Sequence, residues 1–322
     1  MKEFDIIEKH FKKLAINSQL SCDLGDDTAN IILPDNQKLV ISKDIMAQDT
    51  HFRREYGGHK IAYKLLSSNL SDLAASGAKP HSFMLGFTKN DTIDDQFIIS
   101  FCNALRDLSE KYNISLIGGD TISSKSQLFF SITVFGTIAK NKKLSRNNAK
   151  NGDLIFMSGN IGDSYIGLQI LENKIKITDQ KIKDYFLSKH FYPNAQIDLG
   201  QKLSEYNLAN SAIDISDGLF ADLQHICNNS QLMANIFIDK IAISSHAKDL
   251  NLNIMDLCQA GEDYELIFTA KKENKQKIQK LSQDLNLKIT EIGFLEQNLD
   301  SKIKLFDHNN KEVKIKKYGY EH

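Results

Sequence analysis

Aspartates that follow apolar runs are the residues of this 322-residue chain best placed to do chemistry. Four segments carry them: Gly25-Asp26-Asp27, Ile41-Ser42-Lys43-Asp44, Gly118-Gly119-Asp120-Thr121 and Ile213-Asp214-Ile215-Ser216-Asp217-Gly218. Each reads as a turn after a strand, where a short carboxylate projects into a cleft and glycine lets backbone approach a ligand. Taken singly, each is equally a turn former or a helix N-cap. Taken together they pose an electrostatic problem, because two carboxylates near 4 Å repel by roughly 1 to 4 kcal/mol, depending on effective dielectric. Magnesium relieves it: the ion prefers oxygen ligands, keeps waters and bridges carboxylates to substrate phosphates. A constellation rich in Asp and poor in His therefore points to magnesium and phosphates rather than zinc.

Two further segments have both a functional and a structural reading. Asp72, in Asn69-Leu70-Ser71-Asp72-Leu73-Ala74-Ala75, is a charge set between leucines in a helical run; it is either turned inward or a surface residue. Gly159-Asn160-Ile161-Gly162-Asp163 opens a predicted helix, whose free amides suit a phosphate, or else it is a plain turn. A GxxxxGK[ST] loop and the protein-kinase motifs are absent, so a nucleotide would be held by neither route.

The elements that must position these groups alternate almost from end to end. Apolar, β-branched runs predict strands over 30–33, 38–42, 81–88, 114–117 and 129–138. Helical spacing of Ile61, Leu65, Leu66, Leu70 and Leu73 predicts a helix over 60–76, stopped by Gly77, and a second is predicted over 97–112. After the turn Lys150-Asn151-Gly152-Asp153 come a strand over 154–157, a helix after Gly162 and another near 196–206. A strand ending at Asp214, a helix over 219–227, a strand over 265–269 and a Lys-rich helix over 273–285 follow. The grammar is neither strictly βαβ nor segregated, which implies two α/β or α+β domains, 1–150 and 151–322.

Composition narrows the partners. With 40 Lys+Arg against 41 Asp+Glu the formal net charge is −1, which leaves no footprint for nucleic acid or an acidic membrane. No stretch approaches the ~18 apolar residues of a membrane span, and the N-terminal residues read as an amphipathic helix rather than a secretory signal. Cys22, Cys102, Cys227 and Cys258 are far apart without a CxxC pair, so reduced thiols in a cytoplasmic protein are expected.

The ordered series of Gly25-Asp26-Asp27, Ser42-Lys43-Asp44, His51-Phe52, Asn69-Leu70-Ser71-Asp72, Gly118-Gly119-Asp120-Thr121, Asp214-Ile215-Ser216-Asp217-Gly218 and Gly261-Glu262-Asp263-Tyr264-Glu265 spans most of the chain. It resembles the thiamine-monophosphate kinase family, within the aminoimidazole-ribonucleotide-synthetase-like superfamily. The resemblance implies a two-domain fold of that type: an N-terminal α/β domain that dimerises through its strands and a C-terminal α+β domain. It also implies ATP-dependent phosphorylation of thiamine monophosphate to thiamine diphosphate by direct in-line transfer, the last step of thiamine diphosphate biosynthesis, with several Mg²⁺ ions. By the same resemblance Asp27, Ser42, Lys43, Asp44, Asp72, Asp120, Asp214 and Asp217 serve the metals, with Asp44, Asp72 and Asp120 catalytic. Gly119, Asp120, Arg146 and Ser216 match positions that contact ATP; His51 and Glu262 match positions that contact the thiamine phosphate.

Two positions depart from the family pattern. Lys43 stands where threonine is usual; a role through the main-chain carbonyl survives this, a role through a hydroxyl does not. Near the C-terminus Lys317 replaces an aromatic residue, so the stacking face for thiamine falls to Tyr318 or Tyr320.

Overall fold

Period-two burial lays out the first sheet of this computed structural model, which describes residues 3–16, 24, 28–29, 31–297 and 302–320. Along β1 (Gln37–Ala47), Val40 and Met46 are buried while Ile41, Lys43 and Ile45 are exposed, as in a strand with one covered face. With β2 (Lys79–Lys89), β3 (Ser115–Ser123) and β4 (Phe129–Ala139) it forms a four-stranded sheet in the order β1-β4-β2-β3. β2 and β3 run parallel; the other pairs are antiparallel.

Among the described residues the α-helices of this half are α1 (Glu3–Lys9), α2 (Gly58–Ser76) and α3 (Asp95–Tyr112). The Asp94 side chain caps α3 by accepting from the Phe97 N–H at 2.8 Å, and Asn113 ends it in the left-handed conformation. Its apolar stripe, Ile98, Phe101, Leu105 and Leu108, is buried. Phe101 meets Phe87 of β2 at 5.2 Å and Phe130 of β4 at 4.9 Å between ring centroids. Each such buried ring stabilises by about 1.5–3 kcal/mol relative to exposure, and the tilted contacts add to that.

The second half holds a seven-stranded mixed sheet in the order β11-β10-β7-β9-β5-β8-β6. Its strands are β5 (Leu154–Ser158), β6 (Ser211–Asp214), β7 (Leu232–Phe237), β8 (Leu266–Ala270), β9 (Ile289–Gln297), β10 (Ile303–Phe306) and β11 (Glu312–Val313). The helices are α4 (Asp163–Leu171), α5 (Gln180–Phe191), α6 (Ile197–Glu205), α7 (Leu219–Ser230), α8 (Ser245–Asp249), α9 (Ile254–Gln259) and α10 (Lys275–Asp284). α7 buries Leu219, Phe220, Leu223 and Ile226 in a core shared with Ile213, Ile236, Ile267 and Ile292 of the sheet.

The chain divides into two compact units, Met1–Leu73 with Ala78–Asn141 and Ala74–Gly77 with Lys142–His322. Among the described residues no helix is long and apolar enough to cross a membrane. Cys102 and Cys227 are free and buried, and burial pushes both thiols up to about 12. Cys22 lies outside the described residues.

Two sequence expectations change. Residues 31–33, read as a strand, carry none, and Asn30 lies outside the described residues. The Ser-Lys-Asp and Gly-Gly-Asp segments sit inside β1 and β3, not in turns beyond them. Gly119 serves close strand approach: a Cβ there would stand 2.0 Å from the Leu85 carbonyl oxygen.

Candidate active site

Alternation in β1 sends Ser42 and Asp44 to the covered face, against α2. There the Asp44 N–H donates to Asn69 Oδ1 at 3.0 Å, and Asn69 Nδ2 donates to the Leu65 carbonyl at 2.8 Å. Asn69 is fully buried, so it ties strand to helix in a fixed register. The Ser42 hydroxyl donates to Asp72 Oδ2. Asp72 is therefore turned toward the strand, which settles the choice between an inward and a surface residue. The Asp44 carboxyl is raised to about 6, first by burial and then by the negative charge of Asp72, while a hydrogen bond from Ser68 works the other way. Two carboxylates crowded this way favour a proton or a cation between them.

Lys43 and Asp120 lie on the other face. The Lys43 ammonium donates to Ser131 Oγ at 3.3 Å, away from Ser42 and Asp44. Across the sheet the register runs Asp44, Ile132, Leu85, Gly119, which puts Gly119 on the Asp44 row. The next row is Ile45, Ser131, Gly86, Asp120, on the opposite face. Within this unit, then, Asp120 is not brought to Asp44 and Asp72, and the Lys43 side chain does not join them. A strand alternates its side chains, so neighbours in sequence cannot share a face.

His51 follows β1 in a tight turn with Asp49 at φ +65°. The Ala47 N–H donates to His51 Nδ1 at 3.2 Å, which leaves Nε2 to carry the proton of the neutral ring. Asp27, with Gly25 and Asp26, lies outside the described residues.

In the second unit Asp214 ends β6 and is buried. The N–H groups of Ser216, Asp217 and Gly218 all donate to Asp222 Oδ2, at 3.0, 3.0 and 3.1 Å. Asp222 is buried in the first turn of α7; burial raises its carboxyl to about 7, against the pull of those amides. This internal anion moulds the loop that presents Ser216 and Asp217. The Ser216 carbonyl in turn accepts from the Glu262 N–H at 2.8 Å, and Ile215 accepts from Tyr264 at 2.9 Å. Glu262 and Tyr264 both have left-handed backbones, φ +68° and +52°. Half-buried Asp263 between them accepts from the Gly162 and Ser164 N–H groups at 2.9 and 3.5 Å. These hydrogen bonds give the start of α4 a protein carboxylate, so the glycine segment 159–162 is a braced turn. Glu262 Oε2 lies 3.6 Å from His190 Nδ1.

Arg146 is exposed, and its carbonyl accepts from Ser230 Oγ at 3.2 Å. The Tyr318 ring packs partly buried against the core of its unit. Tyr320 is exposed, and its N–H donates to the Asp217 carbonyl at 2.9 Å. Sequence reasoning quoted Asn69 and Asp263 within motifs but gave them no role, and it passed over Asp222. Asp222 had a signal, an acidic residue one turn into a helix behind Asp-Gly; a tethered carboxylate such as Asp263 has none, since its partners are distant in sequence.

Comparison with known proteins follows the same division. Residues 25–138 match the family profile described as AIR synthase related protein, N-terminal domain, and residues 150–304 match the corresponding C-terminal domain. Both halves are thus AIR-synthase-related domains. A thiamine-monophosphate kinase of Buchnera aphidicola subsp. Acyrthosiphon pisum (strain APS) is 37% identical over 326 residues, covering 99% of this chain and 98% of the relative. The crystal structure of thiamine-monophosphate kinase from Stenotrophomonas maltophilia K279a superposes with a TM-score of 0.84 at 29% identity, covering 96% of each chain. AaThiL complexed with AMPPCP and TMP superposes with a TM-score of 0.77 at 27% identity, covering 99% of this chain and 97% of that one. The chain belongs to the thiamine-monophosphate kinase family.

Proposed function

We propose that this chain transfers the γ-phosphoryl group of ATP to the phosphate of thiamine monophosphate, giving thiamine diphosphate and ADP. The observation that carries the reading is the likeness over nearly the whole chain to thiamine-monophosphate kinases, with a structure bound to AMPPCP and TMP sharing the fold. Both reactants are anions, so the obstacle is electrostatic rather than nucleophilic. A phosphate monoester has a second pKa near 6 and is mostly ionised at neutral pH, so its oxygen attacks without a strong base. Transfer is in-line and direct, with positioning and charge neutralisation as the means of catalysis.

The donor chemistry fits magnesium. Ser42, Asp44 and Asp72 offer only oxygen, and burial with mutual repulsion leaves Asp44 short of a positive neighbour. Among the described residues no three His, Cys, Asp or Glu side chains converge as a metal site. A pair of carboxylates with phosphates and waters completing the shell is how magnesium is usually held. Asp44 and Asp72 would hold it, with Asp27, Ser42, the Lys43 main chain, Asp120, Asp214 and Asp217 serving further ions; bound, the metal would neutralise phosphate charge. Gly119, Asp120, Arg146 and Ser216 bind ATP in this reading. His51, Glu262 and Tyr318 bind thiamine monophosphate in the same reading. The protein works in the cytoplasm as a homodimer joined through the first sheet, whose open face carries Ile41, Ile45, Met84, Ile122 and Phe129 exposed.

The test is ADP release by purified protein with ATP, Mg²⁺ and thiamine monophosphate, with free thiamine and formylglycinamidine ribonucleotide as alternative acceptors. ADP matched one-for-one by thiamine diphosphate, and only with the monophosphate, is the expected result. Turnover of the ribonucleotide instead would move the chain to the synthetase branch, and silence throughout would make it a non-catalytic nucleotide sensor.

A further inference from the structure

The open face of the first sheet carries a charge pattern that selects how a second copy docks. By register its paired residues include Ile41, Lys43 and Ile45 on β1, Phe129 and Ser131 on β4, Met84 and Gly86 on β2, and Asp120 and Ile122 on β3. Five large apolar side chains stand exposed there, with Ile41, Ile45 and Ile122 each more than half accessible. Apart from Lys79 at the start of β2, the charged residues paired on this face are Lys43 and Asp120. They occupy opposite edge strands, with β4 and β2 between them. Three strand spacings, about 14 Å, and a two-residue offset along the strands separate their backbones, too far for an ion pair inside one copy. Among the described residues no ion pair engages either of them.

A two-fold axis lying between two such faces has two limiting directions. Perpendicular to the strands, it sets β1 over β1 and β3 over β3, which brings lysine toward lysine and aspartate toward aspartate. Parallel to the strands, it sets β1 of one copy over β3 of the other. The order β1-β4-β2-β3 is then complementary to itself, and each copy's Lys43 meets the other's Asp120 twice over in a closed, isologous contact. Lys43 already leans toward that row, since its ammonium contacts Ser131, which shares a row with Gly86 and Asp120. Gly86 presents no side chain between Ser131 and Asp120, so the path along the row is clear. Like charges facing one another disfavour the first arrangement, and opposite charges on a desolvated apolar face favour the second.

We infer that Lys43 of one copy pairs with Asp120 of a second copy, and that this pair sets the two-fold axis parallel to the strands. The inference rests on the homodimer of the proposed function and deepens it. One oxygen of Asp120 is enough for the ion pair and leaves the other for a metal or nucleotide.

Zero-length carbodiimide coupling followed by peptide mass spectrometry tests the pairing directly on the full chain. It should yield a Lys43–Asp120 cross-link found only in the covalent dimer band. Sedimentation equilibrium then tests its energetic role: K43E and D120K should each weaken dimerisation at least tenfold, and K43E with D120K in one chain should restore it. Circular dichroism of each variant guards against misfolding, and K43T, which adds no charge of its own, should weaken the dimer less than K43E. A covalent dimer without this cross-link, a monomeric wild type, or a double variant no tighter than the singles would overturn the inference. None of these readouts depends on turnover, so a failed kinase assay with a restored dimer would strike the proposed activity alone.

Discussion

The Ser42 hydroxyl donates to Asp72 Oδ2 at 2.5 Å, bridging a strand and a helix thirty residues apart in sequence. With Asn69 holding the Asp44 main chain, it fixes where two carboxylates meet. The spacing between them is thus set by backbone-anchored groups, and not by the charges themselves, which would separate if free.

Replacing Asp44 or Asp72 by Asn keeps the shape of the pair and removes a charge. Turnover should fall by orders of magnitude while the thermal melt stays within a few degrees of the parent, measured by ADP release and circular dichroism. Near-normal rates in both variants would remove the carboxylate pair from the mechanism.

Asp222 acts through the loop it shapes. Three N–H groups converge on one oxygen, so D222A leaves three donors without an acceptor, at about 1–3 kcal/mol for each that stays buried. The expected result is a lower Tm together with a KM for ATP raised at least tenfold. In D222N a side-chain carbonyl can take the same place, and most of the loop should survive. Equal losses in both variants would contradict a role for the acceptor oxygen.

Glu265 makes stability depend on pH. It lies half-buried beside Ser158 and Gln196, both donating to Oε2, and loss of solvent raises its carboxyl from 4.5 to about 7. A raised carboxylate pKa means that the folded state holds the proton more tightly than the unfolded one. Its contribution to stability therefore falls as pH rises from about 4.5 to about 7, and the penalty is complete above that. E265Q can keep both hydrogen bonds on its carbonyl while losing the charge. Relative to the parent it should melt higher at pH 8 and close to it at pH 5; a constant offset at all pH values would exclude this origin.

Adjacent glycines in β3 give opposite outcomes. A Cβ at Gly119 would strike the Leu85 carbonyl at 2.0 Å, whereas one at Gly118 meets the flexible Met84 Cε at 3.2 Å. G119A should lose several degrees of Tm or fail to accumulate as soluble protein, and G118A should lose little. Similar melts for the two would mean that β2 yields at Leu85.

Strong periodicity made the sheet and helices of the first unit readable: Leu65, Leu70 and Leu73 marked α2, and Phe101, Leu105 and Leu108 marked α3. α5, α8, α9, β7, β9, β10 and β11 went unread. Met233 and Asn235 lie in a strand buried on both faces, which has no alternation to detect, and Phe186, His190 and Phe191 give α5 a short stripe behind many lysines. In the site, residue types pointed to oxygen ligands but could not give direction. Ser42 and Asp44 share a face while Lys43 takes the other, and Asp120 falls inside a strand because glycine at 118 and 119 permits close pairing as well as turning. The Asp263 tether could not be read at all, since its partners lie near position 162, on another element.

The turn at Glu262 has a bearing on the order of folding. Its two left-handed residues are not glycine, so the free chain seldom visits that shape. Hydrogen bonds from this turn to Ser216 and Ile215, and from Gly162 and Ser164 into Asp263, hold it there, and these partners stand about fifty and a hundred residues earlier in the chain. The turn therefore waits for both to be assembled. The thiamine-phosphate contact proposed for Glu262 would then be among the last features to mature during refolding, and recovery of substrate binding should lag behind recovery of helical signal.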